Sequence, residues 1–220
     1  MDAIEIVENI NTIYDRFEIP PNLRLHMYRV AAVGEMICDS WKNGDMRIDK
    51  EEILAACLTH DLGNIAKMSM DGDGSLSMLG GEAANVNHWR AVRRRIMGKY
   101  GATPEEATHN MAIELGIDAR ILFLIENGGG GPLLLTDKII KTGDWSLKIL
   151  SYGDCRVTPF GITSARERIE DLLDRYGSGP LDFFRQVGEV EGQIFANTGI
   201  GPEDINDRSA AHYISRYNRS

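Results

Sequence analysis

The stretch CLTHDLGNI, Cys57 to Ile65, carries an apolar helical pattern straight into two adjacent ionisable residues, His60 and Asp61. Leu54, Cys57 and Leu58 define one helix face by their three- and four-residue spacing. His60 lies three residues after Cys57 and Asp61 four, so both extend that face towards the interior. Gly63 marks the expected end of this helix. A carboxylate just before it faces the negative end of the helix dipole, and no lysine or arginine shares its stripe. An unpaired buried charge costs several kcal/mol or is neutralised, so a cation is expected beside Asp61.

Two other segments place polar groups on apolar faces. In the helix that follows Pro20-Pro21, a seam runs Leu23, Met27, Val30, Gly34, Ile37, Trp41, and His26 flanks it with Val30, Val33 and Ile37. Later in the chain, Gly143, Leu147 and Leu150 step by four and three, and the next member of the series is Asp154. Any one of these is read alone as a hydrogen-bonded core residue. Together, His26, His60, Asp61 and Asp154 are two imidazoles and two carboxylates aimed inward from three helices, a suitable donor set for one divalent metal such as Mn, Fe, Co, Ni, Zn or Mg.

The rest of the chain reads as all-α. Apolar residues recur at helical spacing in nearly every segment, and Asp49–Glu52, Thr103–Glu106 and Ser164–Glu167 each set a capping residue three before a glutamate. Stops fall at Pro20-Pro21, Gly80-Gly81, Gly101, the Gly128 to Pro132 run and the Gly177 to Pro180 stretch. About ten helices are predicted, at roughly 2–19, 22–42, 50–64, 82–100, 104–115, 118–127, 137–155, 164–176, 181–198 and 203–218. No alternating strand pattern and no fixed-period repeat competes with them. A chain of 220 residues, 43% hydrophobic and 26% charged, suits one domain over 1–220.

Charge and cysteines narrow the function. With 24 Lys+Arg against 33 Asp+Glu the formal net charge is -9, which argues against a nucleic-acid polymer and favours a small substrate. Cys38, Cys57 and Cys155 lie far apart with no CxxC, so neither a disulfide framework nor a zinc ribbon is indicated. The N-terminal MDAIEIVENINTIYDRF is acidic and amphipathic rather than a signal peptide, and no apolar run approaches the ~20 residues of a membrane span. A cytoplasmic protein without membrane contact is expected.

The order His26, His60-Asp61, Asp154 resembles the signature of the HD-domain metal-dependent phosphohydrolases, H…HD…D. The resemblance covers most of residues 22 to 176: ACLTHDLGN is similar to the family's apolar run into HD and glycine, and YGDCRVTPFGITSARERIEDLLDRY resembles its last-ligand helix, turn and following charged helix. It implies a helical bundle around a metal and hydrolysis of a phosphate ester, often of a nucleotide. The metal would be held by His26, His60, Asp61 and Asp154 and would activate water, with Asp61 both ligand and catalytic orienter of that water.

Some features depart from the pattern. Active branches often carry an acid, a histidine or a lysine three residues after the HD aspartate, whereas this chain has Asn64, an amide that cannot act as a general acid but can bind a phosphate oxygen. Lys67, Arg29 and Arg156 are the other expected substrate contacts, with Arg156 preferred because its neighbour Asp154 anchors the metal. His88 reads as a helix-surface residue, His109 is open between surface and site, and Arg90, Arg93, Arg94 and Arg95 suit a solvated face or a pocket mouth. The loop SMDGDGSLSMLG (69–80) lacks EF-hand ligands at its first and last positions, and ENGGGGP (126–132) lacks the lysine of a P-loop and reads as a connection or lid. Helices 181–218 would pack on the bundle or form a dimer contact, leaving monomer and homodimer open. The alternative to an enzyme is a catalytically impaired regulatory or ligand-binding HD protein with a structural metal, which Asn64 motivates.

Overall fold

The computed structural model describes residues 1–42, 44, 48–68, 70, 77–129, 136–176 and 181–218. Twelve α-helices lie among them: α1 Ala3–Glu8, α2 Ile10–Phe17, α3 Pro21–Asp39, α4 Lys50–Thr59, α5 Val86–Tyr100, α6 Pro104–Leu115, α7 Ala119–Gly128, α8 Asp137–Lys141, α9 Trp145–Cys155, α10 Ala165–Tyr176, α11 Leu181–Phe195 and α12 Asp207–Tyr217. Short 3₁₀ turns cover Asn64–Lys67, Ser77–Asn85 and Pro202–Asp204. The one sheet among the described residues is an antiparallel hairpin, β1 Val157–Thr158 and β2 Gly161–Ile162, pairing Val157 with Ile162 and Thr158 with Gly161. The fold is all-α.

The expected caps form. Asp49 accepts from the Glu52 amide at 3.0 Å and Thr103 from the Glu106 amide at 3.2 Å, which satisfies first-turn donors of α4 and α6. Ser164 and Glu167 make the reciprocal pair, at 3.1 and 2.8 Å, ahead of α10. Local polar residues also cut elements that periodicity alone joins. The 2–19 segment is two helices because the chain breaks at Asn9, whose side chain donates to the Glu5 carbonyl at 2.9 Å. The 137–155 segment divides because Asp144 caps a new helix by accepting from the Leu147 amide at 3.1 Å. Residues 203–218 begin as a 3₁₀ turn, and α12 starts only after Asn206 caps it. The hairpin was not expected: two-residue strands are too short to show alternation. Parts of the 69–80 and 126–132 loops, and the Gly177–Pro180 stop, lie outside the described residues.

Helix α9 is the central rod, buried along its whole length from Ser146 to Cys155. A helix covered on every side must be held by neighbours, and α3, α4, α7 and α11 all pack on it. Helices α3 and α4 also pack on each other, so the three helices that carry the polar quartet form one contiguous core. Helix α12 lies against α3. Among the described residues, no helix is long and apolar enough to cross a membrane.

Candidate metal centre

Four side chains converge where α3, the end of α4 and the last turn of α9 meet. His26 Nε2 lies 3.2 Å from Asp154 Oδ1 and 3.5 Å from Asp61 Oδ2, and His60 Nε2 lies 3.5 and 3.7 Å from the same two oxygens. One donor atom each from His26, His60 and Asp154 fits within 4.8 Å. The floor is closed, with side chains of His60 and Asp154 exposed by 0% and 6%, while His26 at 18% and Asp61 at 13% form the open side.

The local fold explains this placement. Helix α4 ends at Thr59, and His60 keeps right-handed helical angles as its C-cap. Tyr14 donates its hydroxyl to the Leu58 carbonyl at 2.6 Å, fixing the last turn. Gly63 then lets the chain meet α6: a Cβ there would sit 2.6 Å from both Ala107 Cβ and the Pro104 carbonyl, and the Gly63 amide donates to Thr108 Oγ1 at 2.9 Å. Gly129, just past α7, backs onto the imidazole, since a Cβ there would lie 2.9 Å from His60 Cβ.

His26, His60 and Asp154 could hold a divalent cation, whereas Asp61 lies outside that three-residue group and, of its members, approaches only the two imidazoles, at 3.5 and 3.7 Å. Both Nε2 atoms are buried and lack a hydrogen-bond partner, a condition that costs about 1–3 kcal/mol per group if nothing binds there. Their separations from Asp154, 3.2 and 3.5 Å, are at or beyond the long end of the hydrogen-bond range and match the ~3–3.5 Å between ligands bonded to one ion at about 2.1 Å. His60 Nδ1 lies 2.9 Å from the Cys57 carbonyl and donates to it, so Nε2 is the ring atom that faces the carboxylates and would bind a metal once its proton is displaced. Burial disfavours protonated His60, but the Asp61 and Asp154 carboxylates and the Cys57 carbonyl outweigh it and raise the imidazole to about 9. Asp154 shows the converse: burial would raise it, yet the two imidazoles hold it well below the usual carboxylate range. Two helix C-termini and two carboxylates thus surround a point where positive charge is wanted.

The expected substrate contacts are distributed unevenly. Asn64 is buried and donates its amide to Asp61 Oδ2, so it holds a member of the quartet. Lys67 is exposed at the end of the 3₁₀ turn that follows. Arg29, one turn beyond His26, places Nε 3.4 Å from Asp207 Oδ1 of α12. Arg156 corrects the expectation. Only 1% exposed, it donates to the Thr163, Pro202 and Ile205 carbonyls and to the Tyr152 hydroxyl, so its fork is used up joining the hairpin base and the C-terminal segment. A phosphate has no access to it.

Of the remaining histidines, His88 is on the surface, 3.7 Å from Glu18 and against the Trp89 ring. Arg90 and Arg93 are partly structural, donating to the Met70 and Ala66 carbonyls at 2.6 and 3.0 Å. His109 pairs with Glu126 at 2.5 Å. That pair, 17 residues apart on separate helices, left no local pattern to read.

Residues 24–86 match the family model of the HD domain. The match is consistent with the HD-domain metal-dependent phosphohydrolase superfamily, and the matched segment holds His26, His60 and Asp61. Asp154 lies beyond it and is brought in by the fold. Neither the curated proteins nor the solved structures gave a match.

Proposed function

We propose that this protein is a metal-dependent phosphohydrolase that cleaves a phosphate ester of a nucleotide or another small phosphorylated metabolite. The observation that carries the reading is the pair of buried, unpartnered Nε2 atoms facing two carboxylates on the side where His26 and Asp61 reach solvent. His26, His60, Asp61 and Asp154 would hold the ion. When bound, a divalent metal supplies Lewis-acid charge at a phosphoryl oxygen and brings the pKa of water towards neutrality. Asp61, on the open side and gripped by Asn64, orients the attacking water through its carboxylate. Lys67 and Arg29 offer positive charge for the phosphate, and the closed floor at His60 and Asp154 keeps bulk water from the far side. The formal charge of -9 supports a small substrate over a polymer.

The test is release of inorganic phosphate from a panel of nucleoside mono- and triphosphates, cyclic dinucleotides and sugar phosphates, with chelated protein resupplied with Mn, Co, Ni or Mg. Metal-dependent turnover of at least one member is expected. No turnover with any metal contradicts the reading. A second reading, a regulatory protein with a structural metal, is favoured by one observation: Asn64 occupies the position of an acid and is spent on Asp61. The Asn64→Glu variant separates the two, because a large gain in turnover marks an impaired site and a loss marks a working one.

A further inference from the structure

We infer that His109 and Glu126 form a proton-transfer dyad at the rim of the metal centre, with His109 protonating the leaving oxygen of the ester. The inference rests on the phosphohydrolase reading and supplies the acid that Asn64 cannot.

Position is the first support. Both helices bearing the dyad pack close to the HD turn. Helix α6 meets Gly63 through Ala107 and Thr108, and His109 is the next residue. The end of α7 meets His60 at Gly129, and Glu126 lies three residues back, about one helical turn or ~5 Å. Bonding between His109 and Glu126 thus bridges the two walls of the turn that presents His60 and Asp61.

Chemistry is the second. His109 Nδ1 is 2.5 Å from Glu126 Oε1, a contact that orients the imidazole. Its Nε2 has no protein partner among the described residues, and the two side chains are 44% and 42% exposed, so a substrate can reach them. A solvated surface pair at this spacing contributes little to stability. In the step, the water oxygen bonds to phosphorus, the bond from phosphorus to the leaving oxygen breaks, and Nε2–H gives its proton to that oxygen. The attacking water releases its own proton to solvent, and solvent reprotonates His109, so ester and water give alcohol and phosphate.

The experiment compares p-nitrophenyl, phenyl and benzyl phosphate, in the monoester or diester form the nucleotide panel selects, because their leaving groups depend increasingly on protonation. His109→Gln is expected to lose about 10²-fold in kcat on the benzyl ester, about tenfold less on the p-nitrophenyl ester, and to keep its metal content. Glu126→Gln should lose less, in the same order. Equal losses on all three esters, or no loss on any, would overturn the dyad while leaving the phosphohydrolase reading intact. A parent protein that hydrolyses no phosphate ester would overturn both.

Discussion

Asn64 and Gly63 show how much single positions around the HD turn decide. Asn64 takes no part in the quartet directly, but its amide fixes Asp61 Oδ2. Removing such a supporting donor typically costs 10–100-fold in metal affinity. Asn64→Ala is expected to weaken metal binding by about that factor with little change in melting temperature, as read by competition with a chelating dye. Gly63 acts through space: any Cβ meets Ala107 and the Pro104 carbonyl at 2.6 Å. Gly63→Ala should therefore destabilise the fold by about 1–3 kcal/mol, measured by urea denaturation. The sequence showed the residue types but not these partners. Asn64 is three residues from Asp61 and was legible as a departure, whereas Thr108 and Ala107 are over forty residues from Gly63 and only the fold brings them together. Arg156 failed for a related reason: adjacency to Asp154 in sequence says nothing of which way a guanidinium turns, and carbonyls from residues 163, 202 and 205 claimed it.

Among elements, the docking of α12 on α3 carries a titratable link. Glu35 of α3 is 3% exposed and accepts from Lys50 Nζ at 2.9 Å, from the Tyr217 hydroxyl at 2.9 Å and from Arg216. Burial would raise this carboxyl, but Arg216, Lys50 and Tyr217 outweigh it and hold it below its usual value. A depressed carboxylate contributes stability that is present above its unfolded pKa and is lost as pH falls through the folded one. Stability to urea should therefore fall from about pH 4.5 downwards, and Glu35→Gln should flatten that dependence. An unchanged slope in the variant would show that other carboxylates govern acid sensitivity. Helix boundaries were legible wherever a cap stood next to an apolar run, as at Asp49, Thr103 and Ser164. They were not legible at Asn9 and Asp144, where one polar side chain outbids a continuous apolar period.

Across the whole molecule, the polar quartet sits against the hydrophobic core, held by α3, α4 and α9. Three of its members are readable from the HD pair and the His26 flank, and the fourth from the series Gly143, Leu147, Leu150, Asp154; the convergence of the three helices is a property of their packing. Binding an ion there couples to folding, because the unfolded chain has no such site. Saturating metal is expected to raise stability by about 2.7 kcal/mol at a hundredfold excess over Kd, seen as a melting temperature that rises with metal concentration and returns on chelation. The most direct test of the central claim is elemental analysis of protein loaded with Mn, Co or Zn and desalted, beside the Asp61→Ala and Asp154→Asn variants. About one ion per chain is expected, lost or sharply reduced in both variants. No ion in the parent chain, or an ion retained undiminished in both variants, would contradict that claim and leave His26, His60, Asp61 and Asp154 as a buried polar network.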